Sequence, residues 1–284
     1  MEIILGRTSG FCGGVIRSVN STEKVLNTYG ETYCLGELVH NKQVVDELKS
    51  KGLKVVDCLD EIPNGARVII RAHGVTKSIY SLAKSKNLDL IDLTCVKVIK
   101  IHELAEKLVQ DGFFIVLTGQ KSHPETIGTI SFCGENSLIV EELEELDEAA
   151  QKILESGIRR IAILAQTTYS MDKYDKVVKG LKNRLGKIKE LRLEKTICNA
   201  TELRQNECKE LASTVDAMVI IGGRHSSNTM KLYDIASGLC KNTWIVETAD
   251  DLVGDYSNYE RVGVMAGAST PKSSIDAVIK KLEG

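Results

Sequence analysis

The sequence has few of the features that mark membrane-bound or exported proteins. Its longest purely apolar runs, such as residues 113–117 and 217–221, are about five residues long, whereas a helix that spans a bilayer needs roughly 20. The first seven residues, Met-Glu-Ile-Ile-Leu-Gly-Arg, lack the basic, apolar and small-residue segments of a signal peptide. These absences predict a protein with no membrane partner and a cytoplasmic location.

The chain also lacks an excess of charge of either sign. Its 37 Lys and Arg against 39 Asp and Glu leave a formal net charge of −2. Nucleic acids and anionic membranes attract proteins through a surplus of basic residues. We therefore expect no nucleic-acid partner, and any anionic ligand must be bound by a local group of residues.

Closely spaced cysteines are absent too, although the chain has 8 cysteines. No two are closer than ten residues, which excludes zinc ribbons and ferredoxin-type cysteine motifs. Disulfides are rare in a reducing cytosol, so most of the cysteines are predicted to be small buried side chains, with a few left as candidate metal ligands. The cysteines are Cys12, Cys34, Cys58, Cys95, Cys133, Cys198, Cys208 and Cys240.

Motifs of the common nucleotide-binding and hydrolase folds are missing as well. The segment Gly10-Phe-Cys-Gly-Gly14 is not the Gly-x-Gly-x-x-Gly turn of dinucleotide-binding proteins. The chain has no Walker loop, no Gly-x-Ser-x-Gly elbow and no His-Glu-x-x-His motif. Nicotinamide, ATP and serine-hydrolase mechanisms therefore have little support.

What the chain does contain is an α/β pattern. Short runs rich in Val and Ile alternate with segments of helical period, which predicts parallel sheets covered by helices. A length of 284 residues favours two domains, with one or three possible. The predicted strands are Glu2–Leu5, Glu31–Leu35, Leu53–Val56, Arg67–Arg71, Asp89–Leu93, Phe113–Thr118, Arg160–Ala165, Ala217–Ile221, Thr243–Val246 and Arg261–Met265.

Reactive side chains concentrate where predicted strands end and helices begin. Four of the 5 histidines, several hydroxyl groups and three cysteines lie at these junctions. In parallel α/β sheets, ligands bind beyond the carboxyl ends of the strands, beside the free amides of helix N-termini. Each of three strand-and-helix blocks carries one such cysteine, Cys12, Cys95 or Cys198, which indicates three similar α/β units that face a common centre.

These three cysteines could ligate one metal centre. Three thiolates can bind a zinc ion with an open position, or an iron-sulfur cluster with one iron not ligated by the protein. A donor set of cysteines alone favours iron and sulfur. Isolated structural thiols are the alternative, and the spacing leaves it open. The other five cysteines are predicted to be inert.

Three histidines, His40, His73 and His123, follow predicted strands and could donate to phosphate oxygens. Glu125 is the only carboxylate at these junctions, which makes it the natural proton donor or base. Thr167, at a neighbouring junction, could hydrogen-bond to that carboxyl. For hydroxyls and the glutamate, a helix cap is the structural alternative. Further donors to an anion are Ser226, Ser227, Asn228 and Ser269, whereas His102 and His225 are weaker candidates.

Nine short motifs, in order along nearly the whole chain, resemble the 4-hydroxy-3-methylbut-2-enyl diphosphate reductase family, which catalyses the last step of the non-mevalonate isoprenoid pathway. Each motif alone is weak, but nine in the same order are specific. The motifs are Gly10-Phe-Cys-Gly-Gly14, Val39-His-Asn41, Ala72-His-Gly74, Thr94-Cys95, residues 119–125 ending in His-Pro-Glu, Gln166-Thr-Thr168, Cys198-Asn-Ala-Thr201-Glu-Leu-Arg-Gln205, Ser226-Ser-Asn228 and Gly267-Ala-Ser269.

The resemblance implies a fold of three similar α/β domains, arranged as a cloverleaf with pseudo-three-fold symmetry around a central iron-sulfur cluster. It predicts an N-terminal strand with the first ligand in residues 1–12 and a first domain in 13–95. The second and third domains are predicted in 96–193 and 194–268. Residues 269–284 are predicted to form a C-terminal helix that returns to the centre.

The resemblance also implies roles for the residues above. Cys12, Cys95 and Cys198 would ligate one 4Fe-4S cluster per chain, with one iron not ligated by protein. Glu125, with Thr167, would deliver the proton that lets the substrate's hydroxyl oxygen leave as water. The donors to the substrate diphosphate would be His40, His73, His123, Thr167, Ser226, Ser227, Asn228 and Ser269.

The implied reaction consumes two electrons and two protons and gives isopentenyl and dimethylallyl diphosphate. An electron donor such as ferredoxin or flavodoxin is therefore an expected partner, beside the small allylic diphosphate. One departure from the family pattern is Val96, which stands where proline usually follows the second ligand cysteine. The valine replaces no donor atom, but its loop loses the rigidity that proline gives.

Two other functions stay open on the residues alone. A cluster-bearing sensor or electron carrier could bind an anion without converting it, but such a protein needs no proton donor like Glu125. A zinc hydrolase of phosphate esters is disfavoured by the cysteine-only donor set.

Overall fold

The structure is a computed structural model that describes residues 1–186, 188–254 and 256–284. Strands and helices alternate along the chain, with short 3-10 turns at Leu59–Glu61, Leu143–Glu145 and Ala249–Asp251. The strands are β1 (Glu2–Leu5), β2 (Thr32–Leu35), β3 (Leu53–Val56), β4 (Arg67–Ile70), β5 (Asp89–Asp92), β6 (Phe114–Thr118), β7 (Ser137–Val140), β8 (Arg160–Ala165), β9 (Glu190–Leu193), β10 (Ala217–Ile221), β11 (Thr243–Val246) and β12 (Arg261–Ala266). The helices are α1 (Gly13–Tyr29), α2 (Lys42–Ser50), α3 (Lys77–Ser85), α4 (Val96–Gln110), α5 (Pro124–Ile130), α6 (Leu146–Glu155), α7 (Met171–Leu185), α8 (Asn199–Ala212), α9 (Ser227–Leu239) and α10 (Lys272–Glu283).

The chain divides into two compact units. Unit 1 consists of Met1–Glu31, Glu37–Leu53 and Asn199–Gly284, and unit 2 consists of Thr32–Gly36 and Lys54–Cys198. Unit 1 contains the sheet with strand order β1-β12-β10-β11. Apart from the first residue of β3, unit 2 contains the sheets β3-β2-β4-β5 and β7-β6-β8-β9.

The sheet of unit 1 is buried on both faces. Strand β12 pairs in parallel with β1 on one side and with β10 on the other. Side chains of a strand alternate between faces, so Val219 packs with Val278 of α10, while Ile220 packs with Leu232 of α9. Burial on both faces explains why β10 consists entirely of apolar residues.

Unit 2 repeats this construction in its sheet of β7, β6, β8 and β9. Val116 of β6 packs against α6 and α7, and its neighbour Leu117 packs on the opposite face against α4. In the other sheet of unit 2, Val68 and Ile70 of β4 pack with Ala83 of α3. Helices on both faces of parallel strands leave the carboxyl ends of the strands as the place where loops and helix N-termini meet.

The predicted α/β fold with parallel sheets is confirmed. Every predicted strand is present, with bounds that differ by at most one residue at an end. In the described part of the chain, two further strands, β7 and β9, were not predicted. The division into residues 1–12, 13–95, 96–193, 194–268 and 269–284 stays a prediction.

None of the helices in the described ranges combines the length and apolar character that crossing a bilayer requires.

Candidate functional site

The three cysteines of the predicted ligand set share one local setting, because each lies at the start of a helix. Cys12 and Cys95 are the N-cap residues of α1 and α4, and α8 begins directly after Cys198. All three side chains are half-buried. A helix N-terminus presents free backbone amides, and cysteine binds metal as a thiolate.

The other five cysteines lie in different surroundings. Cys34, Cys133, Cys208 and Cys240 are buried, as predicted for small apolar side chains. Burial raises the pKa of Cys34, Cys133 and Cys208 to about 12, so these groups remain neutral thiols at pH 7. Cys58 differs because it is exposed, at the start of a 3-10 turn.

In unit 2, two of the ligand-set cysteines are tied through the backbone to other predicted site residues. The Cys95 N–H donates to the carbonyl oxygen of Ala72, directly before His73, at 2.9 Å. The Cys198 N–H donates to the carbonyl oxygen of Thr167 at 3.0 Å. Each of these two cysteines therefore lies beside a second strand–helix junction of unit 2.

His73 and His123 lie side by side in the same unit. Their ring centroids are 5.2 Å apart and the rings are nearly perpendicular. The backbone N–H of Glu125 donates to Nδ1 of His123 at 3.1 Å, so Nδ1 is the unprotonated nitrogen of a neutral ring. The ring proton then lies on Nε2, which makes that atom a hydrogen-bond donor suited to an anionic oxygen.

Glu125 is a buried acid with a fixed carboxyl group. Its side chain is 2% exposed. The Thr167 N–H donates to Oε1 at 2.6 Å, and the Thr167 hydroxyl donates to Oε2 at 2.6 Å. Burial raises the pKa of Glu125 to about 7, against the opposing effect of the hydrogen bonds from Thr167. Near neutral pH the group therefore exists in both protonation states and can exchange a proton.

Unit 1 groups its own predicted site residues. The Cys12 N–H donates to the carbonyl oxygen of Ala268 at 3.1 Å. The next residue, Ser269, donates from its hydroxyl to the carbonyl oxygen of His40 at 3.2 Å. Gly223 lies against the same carbonyl, where a Cβ would approach the oxygen to 2.8 Å. Only glycine allows this approach without a shift of the His40 backbone.

The N-terminus of α9 presents a row of polar groups in unit 1. Ser226 is the N-cap residue, and its hydroxyl oxygen accepts a hydrogen bond from the Thr229 N–H at 3.3 Å. Ser227 and Asn228 occupy the first turn and are buried. Among the described residues, the Asn228 side-chain amide has no acceptor for its Nδ2 hydrogens. A buried donor of this kind next to helix amides fits an anionic ligand.

The remaining candidate histidines lie elsewhere. His102 is buried in α4 and stacks on Phe132 with centroids 4.1 Å apart. A Cβ on Gly74 would lie 3.1 Å from the His102 ring, so His102 packs behind the loop that carries His73. His225 is exposed in the loop before α9.

The structure also shows functional candidates to which the sequence analysis gave no role. Gln166 holds the loop before α5, because its side-chain oxygen accepts from the Gln120 N–H at 3.0 Å and the Thr126 hydroxyl at 3.3 Å. Arg204 and Glu207 of α8 bind the loop that precedes Cys12. Arg204 falls inside a recognised motif, but no sequence signal distinguishes these side chains from exposed helix residues.

Four features define the class of the protein: parallel sheets, thiols at helix N-termini, hydrogen-bond donors suited to an anion, and a buried acid. Together they describe an α/β protein with the groups for proton transfer to a bound anion. Comparison with known proteins gives the particular family. The LytB protein family matches residues 3–283. The 4-hydroxy-3-methylbut-2-enyl diphosphate reductases of Clostridioides difficile and Aquifex aeolicus are each 39% identical to the chain, over 100% of it and 99% and 96% of their own lengths.

Two solved structures that resemble the chain are of the same reductase. One reductase described as the terminal enzyme of the non-mevalonate pathway has 39% identity and a TM-score of 0.71, and covers 100% of this chain and 99% of its own. The Plasmodium falciparum enzyme, 29% identical, has a TM-score of 0.91 and covers 100% of this chain and 88% of its own. The chain belongs to the LytB family of 4-hydroxy-3-methylbut-2-enyl diphosphate reductases, which confirms the family predicted from the sequence.

Proposed function

We propose that the chain catalyses the reaction of its family, the reductive removal of the hydroxyl group of 4-hydroxy-3-methylbut-2-enyl diphosphate, the terminal step of the non-mevalonate pathway. The observation that carries this proposal at the site is the buried Glu125. Its carboxyl is fixed by Thr167, and its pKa is raised to about 7. A protein that only bound an anion or carried electrons would not need such an acid.

The cysteine set fits an iron-sulfur cluster. Cys12, Cys95 and Cys198 are half-buried at helix N-termini, and cysteine sulfurs are soft ligands that suit iron and sulfur. We propose that they ligate one 4Fe-4S cluster and leave one iron not ligated by protein. When bound, such a cluster would pass the two electrons of an external donor to the substrate, one at a time.

The chain's own residues deliver the proton to the leaving oxygen. The Thr167 N–H can only donate, so it fixes Oε1 of Glu125 as an acceptor. The Thr167 hydroxyl can rotate and can either donate to Oε2 or accept from it. The acidic proton of Glu125 is therefore carried on Oε2, beside the Thr167 hydroxyl. From there it passes to the substrate's hydroxyl oxygen as the carbon–oxygen bond breaks and water leaves.

Polar donors of the chain bind the diphosphate. His123 offers Nε2–H, Asn228 offers its buried amide, and Ser226 lies at the N-terminus of α9. Hydrogen bonds to a charged group are stronger where water is excluded than in water. The proposed diphosphate ligands are His40, His73, His123, Thr167, Ser226, Ser227, Asn228 and Ser269.

The reaction balances with two electrons and two protons. One proton leaves in the water molecule, and the second adds to either end of the allylic carbon system, which gives isopentenyl or dimethylallyl diphosphate. An external donor such as ferredoxin or flavodoxin provides the electrons.

The first test replaces Glu125 by glutamine, which keeps the shape of the side chain and removes the acidic proton. Glu125→Gln should keep iron content and substrate binding while kcat falls by about 10²- to 10⁴-fold, the usual contribution of a general acid. The measurement is an anaerobic assay with reduced protein and 4-hydroxy-3-methylbut-2-enyl diphosphate.

A matched control is Glu103→Gln, because Glu103 is an exposed glutamate of α4. It should keep the wild-type rate. A near-normal rate for Glu125→Gln would remove Glu125 from the role of proton donor.

A further inference from the structure

A buried arginine of α8 binds the loop that precedes Cys12 in unit 1. Arg204 has 4% of its surface exposed. Its Nε donates to the carbonyl oxygen of Thr8 at 2.8 Å, and its Nη2 donates to the carbonyl oxygen of Gly10 at 2.9 Å. The rigid fork of the guanidinium bonds two carbonyls at once, a geometry that a lysine ammonium does not reproduce.

Glu207 binds the same loop through its amide groups. Oε1 of Glu207 accepts from the Arg7 N–H at 2.6 Å, and Oε2 accepts from the Thr8 N–H at 2.8 Å and the Thr8 hydroxyl at 2.5 Å. Residues three apart lie on one face of a helix, so Arg204 and Glu207 act on the loop together. Burial raises the pKa of Glu207, but the hydrogen bonds from Thr8 and Arg7 outweigh it and hold the pKa below its ordinary value.

The loop of residues 7–10 ends two positions before Cys12. Four of its backbone groups, the amides of Arg7 and Thr8 and the carbonyls of Thr8 and Gly10, bond to these two side chains. Gly10 has φ of +93°, a conformation that other residues rarely adopt. The loop belongs to no strand or helix, and β12 binds only its second half, where the Ala266 N–H donates to the Ser9 hydroxyl oxygen at 3.1 Å and the Gly10 N–H donates to the Ala266 carbonyl oxygen at 3.5 Å. The charged side chains of α8 bind both halves of the loop.

We propose that Arg204 and Glu207 are positioning residues for Cys12, which fix the loop of residues 7–10 so that the Cys12 thiol is held ready to ligate metal. This inference rests on the proposed function, because the ligand role of Cys12 is itself part of that proposal. Groups that orient metal ligands are as much a part of a metal site as the ligands are.

The first experiment measures how firmly the protein holds iron. Arg204→Gln, Glu207→Gln and wild type are reconstituted anaerobically with iron and sulfide, and the release of iron to a chelator is followed by absorption. Both variants should lose iron faster, by about 10- to 100-fold for Arg204→Gln, the usual effect of removing a group that orients a metal ligand. Arg204→Lys keeps the charge and should lie between Arg204→Gln and wild type.

Exposed residues provide matched controls. Glu210 is an exposed glutamate on the same helix, and Arg184 is an arginine of α7 paired with Asp147 at the surface. Glu210→Gln and Arg184→Gln should release iron at the wild-type rate.

The second experiment tests how firmly the loop of residues 7–10 is held in the metal-free protein. Wild type, Arg204→Gln and Glu207→Gln are treated with iodoacetamide. Peptide mass spectrometry then measures the alkylation rates of Cys12 and Cys95 in the same sample of each protein. Loosening of the loop should raise the rate at Cys12 several-fold and leave the rate at Cys95 unchanged. An equal rise at both cysteines would indicate general destabilisation and would overturn the positioning role.

The outcomes separate this inference from the proposed function. A wild-type protein that binds no cluster would refute the proposed function, while the alkylation rates would still decide whether the two side chains hold the loop. Wild-type iron release and unchanged Cys12 alkylation in the variants would refute the positioning role alone. If Arg204→Gln does not fold, Arg204→Lys and Glu207→Gln decide in the same two measurements.

Discussion

At the scale of single residues, burial moves the pKa of two groups in unit 2 in opposite directions. It raises the pKa of Glu125 to about 7, and it lowers the pKa of His102 to about 4. The hydrogen bonds from Thr167 oppose burial at Glu125, and the charges of Asp92 and Glu106 oppose it at His102, but neither outweighs it. Both side chains therefore favour their neutral forms, because burial disfavours charge on an acid and on a base alike.

These two shifts have opposite effects on stability. The unfolded state binds a proton at His102 below about pH 6.5 and the native state only below about 4, so the free energy of unfolding falls as pH falls across that window. Glu125 retains its proton up to about pH 7 in the native state but only to about 4.5 when unfolded, so the free energy of unfolding falls as pH rises. Between about pH 4.5 and 6.5 the two effects cancel.

In the wild type, the pH dependence that each residue gives to the free energy of unfolding is masked by the other. A variant at one of the two residues of the metal-free protein should therefore reveal the slope that the remaining residue contributes. Glu125→Gln should gain about 3 kcal/mol of unfolding free energy between pH 4 and 6.5, relative to the wild-type profile. His102→Phe should lose a similar amount between pH 4.5 and 7. Urea unfolding at several pH values measures both slopes, and His225→Gln, at an exposed histidine, is the control. Parallel profiles for all four proteins would contradict these charge states.

At the residue scale, the sequence points to side chains at strand–helix junctions but not to those inside helices. Strand ends gave Glu125, Thr167 and His123 as candidates, and the structure places Glu125 in contact with both of the others. Arg204 and Glu207 could not be found in this way, because a charged residue in a helix is usually exposed. Only the tertiary structure shows that these two face a loop from the other end of the chain.

At the scale of elements, the strands that the sequence missed share one property. Strands β7 and β9 are the two edges of their sheet, and β6 and β8 are its centre. The central strands are apolar throughout, except for Thr118 at the end of β6 and Arg160 at the start of β8. The edge strand β9 reads Glu-Leu-Arg-Leu. An edge strand tolerates charge, which explains why β9 has no hydrophobic run. Strand β7 reads Ser-Leu-Ile-Val and carries no charge, so this reason does not apply to it.

The first helical position of α4 gives a prediction at this scale. Val96 occupies that position and is 50% exposed, and Cys95 before it has φ of −59° and ψ of 133°. This backbone is compatible with a following proline, and proline suits the first position of a helix. Val96→Pro should therefore raise the free energy of unfolding by about 0.4–1 kcal/mol, since proline restricts the unfolded chain. Urea unfolding measures the change.

Ile99→Pro is a control that the same measurement should show to be destabilised. The Ile99 N–H donates to the Cys95 carbonyl oxygen at 3.0 Å, so Ile99→Pro removes a helical hydrogen bond and should cost about 3 kcal/mol or more. Destabilisation of Val96→Pro on the same scale would show that the valine side chain or its amide has a structural role at this junction.

At the scale of the whole molecule, the proposed ligands come from distant parts of the chain. Cys12, Cys95 and Cys198 are 83 and 103 residues apart in sequence. Sequence analysis could propose them because each follows a strand and precedes a helix. The division of the chain into two compact units could not be predicted, because it depends on contacts between segments that are far apart.

Substitution of each cysteine by serine tests the ligand set. Cys12→Ser, Cys95→Ser and Cys198→Ser should each lose most of the bound iron after anaerobic reconstitution, because serine cannot supply a thiolate. Cys34→Ser, Cys133→Ser, Cys208→Ser and Cys240→Ser should keep it, as should Cys58→Ser, the cleanest control because Cys58 is exposed. Equal iron content in both sets would refute the assignment.

The pairing of β1 with β12 has a consequence for how the protein is made. Within the described residues, β1 bonds only to β12, a strand more than 250 positions later. At about 5–20 residues per second of synthesis, the first strand emerges from the ribosome and waits roughly 13 to 50 s for its partner. The two sheets of unit 2 can form during translation, whereas β1, which leads to Cys12, cannot pair until translation is nearly finished. The segment that leads to Cys12 therefore takes its final place only when synthesis is nearly complete, so the cluster that we propose would be assembled after translation.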